Sequence, residues 1–137
     1  MSDIAITAAN VIAGSGASVD RAHNAGASLT AGQVVYLEAS SGTYKLADCN
    51  SATAEVRVPV GIALNAAGSG QPVAVLTKGP ITIGGTVTGG VAYYLSGTPG
   101  GIRPVADNTT GDYPAILGIA SSSSVLQVNI QASSVAL

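Results

Sequence analysis

Phenylalanine and tryptophan are absent from this 137-residue chain, and charge is scarce: Asp, Glu, Lys and Arg make up 9% of it, against a typical ~25%. Without Phe or Trp, five tyrosines are the only large rings. They are expected to pack in the core or at its rim, with hydroxyls reaching solvent or a partner. The basic residues Arg21, Lys45, Arg57, Lys78 and Arg103 stand isolated. No basic patch results, so nucleic-acid binding has no electrostatic footprint. No apolar run approaches the ~18 residues that a membrane helix requires, and no membrane partner is expected. The opening stretch, MSDIAITAAN, carries Asp3 and no basic start, so a secretory signal is not expected. The single cysteine excludes a disulfide within the chain and fits synthesis in a reducing compartment. Cys49 lies between Asp48 and Asn50. An acidic neighbour raises a thiol pKa, so Cys49 reads as inert.

Hydrophobic residues are nevertheless 47% of the chain, the reverse of a disordered composition. One domain with a real core is expected. Its surface must consist largely of Ala, Ser, Thr and Gly. A net charge of −2 on so few charges gives little electrostatic solubility and suits burial within an assembly.

The most informative stretch occurs twice. Ser28–Leu37, SLTAGQVVYL, returns as Thr86–Leu95, TVTGGVAYYL. Gly32 matches Gly90, Tyr36 matches Tyr94 and Leu37 matches Leu95, all at one constant spacing. Further on, Gly61-Ile62-Ala63 returns as Gly118-Ile119-Ala120 at nearly the same spacing. The pattern reads strand–turn–strand–loop–strand–turn–strand, twice. The predicted strands are GQVVYL at 32–37, YKLA at 44–47, EVRVPVGIAL at 55–64, QPVAVLT at 71–77, ITI at 81–83, VAYYL at 91–95, IRPVA at 102–106, YPAILGIA at 113–120 and VLQVNI at 125–130. In 55–64, Val56, Val58 and Val60 are expected on one face, with Arg57 and Pro59 on the other. Lys78-Gly79-Pro80 is expected to break the strand before it. The last strand sets Val125, Gln127 and Asn129 against Leu126, Val128 and Ile130. No segment sustains a 3.6-residue apolar period, and glycine recurs too often for long helices.

The fold class is therefore all-β, a small β-barrel or β-sandwich built from two related β-modules. Residues 1–25 form an extended N-terminal arm and first strand, with Gly14-Ser15-Gly16 as a joint. Residues 26–137 form a single β-domain whose tandem modules span about 28–79 and 86–133.

Catalytic chemistry has little to work with. His23, the only histidine, has Asp20 one short step earlier, but no nucleophile-elbow sequence accompanies the pair. Asp48 and Asp107 open equivalent polar loops, with Asp112 nearby; such residues are turn formers, too sparse for a metal site. Gly14-Ser15-Gly16 lacks the third glycine and the following helix of a dinucleotide loop. Asn108-Thr109-Thr110 matches the glycosylation sequon only as part of a polar loop. No catalytic, metal-binding or cofactor-binding residue is expected, and no cofactor. Tyr93 and Tyr94 are the candidate surface or rim aromatics.

With SLTAGQVVYL, VPVGIALNAAGSGQPVAVLTKG, GGVAYYL and ILGIASSSSVLQVNI in view, residues 26–131 resemble the capsid decoration, or cement, proteins of tailed bacteriophages. Comparable modules occur in phage tail-fibre and head-fibre proteins. The resemblance implies a compact, non-enzymatic β-subunit, made in the bacterial cytoplasm and placed on the outer capsid surface of the virion. Its implied partners are the major capsid protein and further copies of itself, most often as a trimer. A tail, spike or fibre module for receptor or glycan attachment is the alternative. The segment 1–25 does not match the module. Within it the apolar Ile4, Ile6, Val11 and Ile12 are the candidate capsid contacts.

Overall fold

The structure, a computed structural model, describes residues 3–137. Its strands are β1 (Val11–Ala13), β2 (Ser18–Asp20), β3 (Val34–Glu38), β4 (Thr43–Leu46), β5 (Gly61–Ala63), β6 (Val75–Ile83), β7 (Ala92–Leu95), β8 (Ile102–Pro104), β9 (Ala115–Ala120) and β10 (Val125–Ala132). All pair antiparallel. The fold is all-β, a curled antiparallel sheet forming a half-barrel.

The strand order β4-β3-β5-β6-β10-β9-β7-β8 reads alike from either end once β3–β6 are matched to β7–β10. Registers agree as well. Val35 pairs with Leu46 and Gly61; its counterpart in the second copy, Tyr93, pairs with Pro104 and Gly118. The Gly32 N–H donates to the Ala63 carbonyl at 2.8 Å, and the Gly90 N–H to that of Ala120 at the same distance. The sequence repeat is thus a repeat of hydrogen bonding.

β6 joins the two halves. Leu76 pairs with Ile62 on β5 and Val19 on β2; Lys78 with Asn129 on β10 and Ser18 on β2; Thr82 with Val125 on β10 and Ile12 on β1. A strand has two edges, so one edge of β6 carries β5 and then β10, while the other carries the run 11–20. Lys78-Gly79-Pro80 does not end the strand. Gly79, at φ +109°, stays in the ladder, paired with Val128 on β10. The pairing with β2 shifts register between Leu76 and Lys78, and this bulge shifts the alternation: Leu76, Ile81 and Ile83 all enter the same core.

The segment 55–64 corrects the sequence expectation more sharply. Ala54–Arg57 is a 3-10 turn, and only Gly61–Ala63 is strand. Val58 is exposed while Pro59 is buried, so the expected valine face does not exist. Pro59 offers no N–H to a ladder, and pairing resumes where the Val60 N–H meets the Val35 carbonyl at 2.8 Å.

The N-terminal segment, expected as an extended arm, lies on the domain. Ile4 and Ile6 pack against the main core, and the Ile4 N–H donates to the Ile102 carbonyl at 2.9 Å. Asp3 accepts from the buried Ser96 hydroxyl at 2.6 Å. Gly14–Gly16 lies within the turn between β1 and β2, two strands paired along β6.

Two apolar clusters result. The main one joins Val34, Tyr36, Ile62 and Leu76 of the first module to Tyr93, Leu95, Leu117, Leu126 and Val128 of the second. The smaller one lies on the other side of the first module, where Ala25, Leu29, Ala67 and Val73 cover Val35, Tyr44, Ala63 and Val75. The first module is buried on both faces, the second on one.

Candidate interaction surface

That asymmetry creates the candidate site, the uncovered face of the second module. Paired residues in an antiparallel sheet share a face, so the ladder registers define it. One row runs Ile12–Thr82–Val125; the next runs Pro80–Gln127–Ile119–Ala92; a third runs Gln131–Ile116–Tyr94. Ile12 is 61% exposed and Ile119 51% exposed. Two adjoining grooves of about 250 and 300 Å³, which share Ile116 and Gln131, cross this face. Lys78, paired with Asn129, and Arg103, paired with Tyr94 and held by Asp112, mark its margins. The centre carries no charge, only aliphatic groups, one ring and the amides of Gln127, Asn129 and Gln131.

Equivalent positions in the first module show what the face would otherwise be. Val34, Tyr36, Ile62 and Leu76 correspond to Ala92, Tyr94, Ile119 and Gln127. The first set is buried in the main core.

The nominated residues divide accordingly. Ile12 and Tyr94 lie on the uncovered face. Val11 is buried, and Ile4 and Ile6 pack inward. Tyr93 is not a surface ring: it is 4% exposed, and its hydroxyl accepts the Thr88 N–H at 2.8 Å. Successive strand residues face opposite sides, so Tyr93 and Tyr94 cannot share one face. Ile116, Ile119 and Gln127 carry no motif that marks them in the sequence. The available signal lies in the repeat, since Ile119 aligns with Ile62. Gln127 aligns with Leu76 only through the ladder, because the turns 64–74 and 121–124 differ in length.

Elsewhere the polar clusters tie segments together. The Asp20 carboxylate accepts from the Tyr44 hydroxyl and lies 2.8 Å from His23 Nδ1. The Tyr44 hydroxyl, the Ala22 N–H and His23 together lower the Asp20 pKa to about 2. Burial, followed by that bond to Asp20, raises the Tyr44 pKa. Through Asp20, His23 and the Tyr44 hydroxyl, segment 20–23 is tied to β4. Arg103 donates to Asp112 at 2.5 Å and to Cys49 Sγ at 3.3 Å. Burial would raise the Asp112 pKa, but the Thr109 hydroxyl and Arg103 outweigh it and hold the pKa down. Burial pushes the Cys49 thiol up to about 11 against the opposing pull of Arg103. Arg57 stacks 3.6 Å from the centre of the Tyr113 ring. Asp48 caps its own loop, accepting the Asn50 N–H at 3.0 Å. Among the described residues, no three His, Cys, Asp or Glu side chains converge as a metal site.

Neither a family model nor a curated protein sequence matches this chain.

Proposed function

We propose that this chain is a non-enzymatic structural protein of a phage virion. In this reading it binds the outer capsid surface and strengthens the shell. The observation that carries the reading is a surface rich in exposed aliphatics and poor in free charge. Ile12, Val58, Val105, Ile119 and Val135 are all exposed. Lys45 is engaged with Glu38, and Arg103 with Asp112. Such a surface gains from burial against neighbours, and linked contacts on a repeating shell turn modest affinities into retention. The resemblance of residues 26–131 to capsid decoration proteins points the same way.

The test is direct. The purified chain is expected to co-sediment with heads lacking it, and to raise the temperature at which those heads release DNA. No head binding, or binding without stabilisation, overturns the proposal. Tail or fibre attachment through a glycan is the second reading. It rests on Tyr94, half-buried beside Gln131 and Ile116. A glycan-array signal lost in Tyr94→Ala, with label at the tail in immuno-gold images, favours that reading instead.

A further inference from the structure

We infer that the uncovered face of the second module is a self-association surface, on which two copies of this chain pack sheet to sheet about a twofold axis near Ile119 and Gln127. This inference concerns the chain alone in solution and does not rest on the capsid reading, whose resemblance implies a trimer instead.

The internal repeat supplies the precedent. In the first module the equivalent face, Val34, Tyr36, Ile62 and Leu76, is covered by a sheet of this same chain through Tyr93, Leu95, Leu117, Leu126 and Val128. The second module presents the matching surface with none of the described residues covering it. The opposite faces of both modules are already occupied within the chain. Of the sheet faces, a second copy has this same one to offer, and pairing the two makes the contact isologous.

Chemistry permits the pairing. The centre of the face is uncharged, so stacking two copies sets no like charges against each other. Gln127, Asn129 and Gln131 each carry donors and an acceptor, so these amides can pair with their own symmetry mates. Gln127 in the place of Leu76 also explains why the face tolerates water before association. Strands β1, β6, β10, β9 and β7, about 4.8 Å apart, make a patch about 24 Å wide and about 17 Å long. Allowing for side-chain relief, two such patches bury about 1,000 Å² in total, the lower limit for a specific contact. A dimer in the micromolar range is expected.

The experiment measures the mass of the full chain by light scattering and sedimentation between 1 and 100 µM, a range chosen to bracket ~10 µM dissociation. The expected result is about twice the 13.3 kDa of one chain at the upper concentration. Ile119→Lys and Ile119→Glu are each expected to be monomeric, with an unchanged β-sheet circular dichroism spectrum, because the side chain is half in solvent already. Mixing the two variants is expected to restore the dimer, since a twofold brings residue 119 close to its own copy. Gln127→Lys and Gln127→Glu repeat the test should either Ile119 variant misfold. Three results overturn the inference: a monomeric wild-type chain at the top of that range, an oligomer that survives these substitutions, or a loss that mixing does not repair.

Discussion

At the scale of single residues, close approach and burial dominate. Gly61 and Gly118 occupy equivalent positions, and a Cβ on either would meet a backbone carbonyl of the neighbouring strand, Leu76 or Gln127. Backbone cannot rotate away as a side chain can. Gly118→Ala is therefore expected to destabilise the fold by about 1–3 kcal/mol, the usual range for overpacking, read as a lowered urea midpoint. An unchanged midpoint would mean that β9 and β10 are not in this contact. Cys49 is fully buried, with its pKa raised to about 11 chiefly by burial. It is expected to resist a thiol reagent at mildly alkaline pH in the native chain and to react at once in denaturant. The sequence anticipated that inertness from the acidic neighbour, whereas burial is the larger cause. Asp20 sets a pH dependence. Its folded pKa of about 2 lies below the ordinary value near ~3.9. Its contribution is thus present above that ordinary value and is lost as pH falls through the folded one. Stability is expected to drop between about pH 4 and pH 2, and less steeply in Asp20→Asn, as read from thermal melts across that window.

At the scale of elements, the strands legible in the sequence were those with local reasons to exist. The hairpin β3–β4 follows from a Val-Val-Tyr run, a Ser/Gly turn and a returning Tyr. The segment 55–64 failed because alternation alone ignores what Pro59 denies to a ladder. In the N-terminal segment a first strand was legible but its docking was not: the short apolar residues gave no sign of where they would pack. Val11 sits in the main core, Ile4 and Ile6 line it, and β1 and β2 occupy one edge of β6. Removing residues 1–16 is accordingly expected to lower the melting temperature by about 10 °C or more, or to yield insoluble chain, on the scale of ~4–8 °C per kcal/mol for a small domain. A truncated chain that melts like the full one would show that these residues are a dispensable arm. Any head-binding assay on that truncation must be read with this loss in mind.

At the scale of the whole molecule, the two modules are repeats in sequence but not independent units. The second borrows the C-terminal half of β6 as a neighbour for β10, and its inner face completes the core begun by the first. A fragment spanning residues 86–137 is expected to remain unfolded, with collapsed amide dispersion in its NMR spectrum. It would have lost β6 and half of the core it packs against. A folded, dispersed spectrum would show that each module closes its own core. The same sharing explains the uncovered face: modules related by duplication pack with unlike faces, so one face is left over.

By itself, the sequence determined the all-β class, the duplication, the paucity of free charge and the absence of a recognisable catalytic motif. These follow from local preference, spacing and residue chemistry, which act along the chain. Only the tertiary structure decided that Tyr93 is core while Tyr94 is surface, that Ile12 alone of the four nominated apolar residues faces outward, and that Ile119 is exposed where its twin Ile62 is buried. The alternating period of a strand separates two faces without saying which is inside. That choice was made by how the modules pack: the inner face of the second covers one face of the first, and the other face of the second is left uncovered.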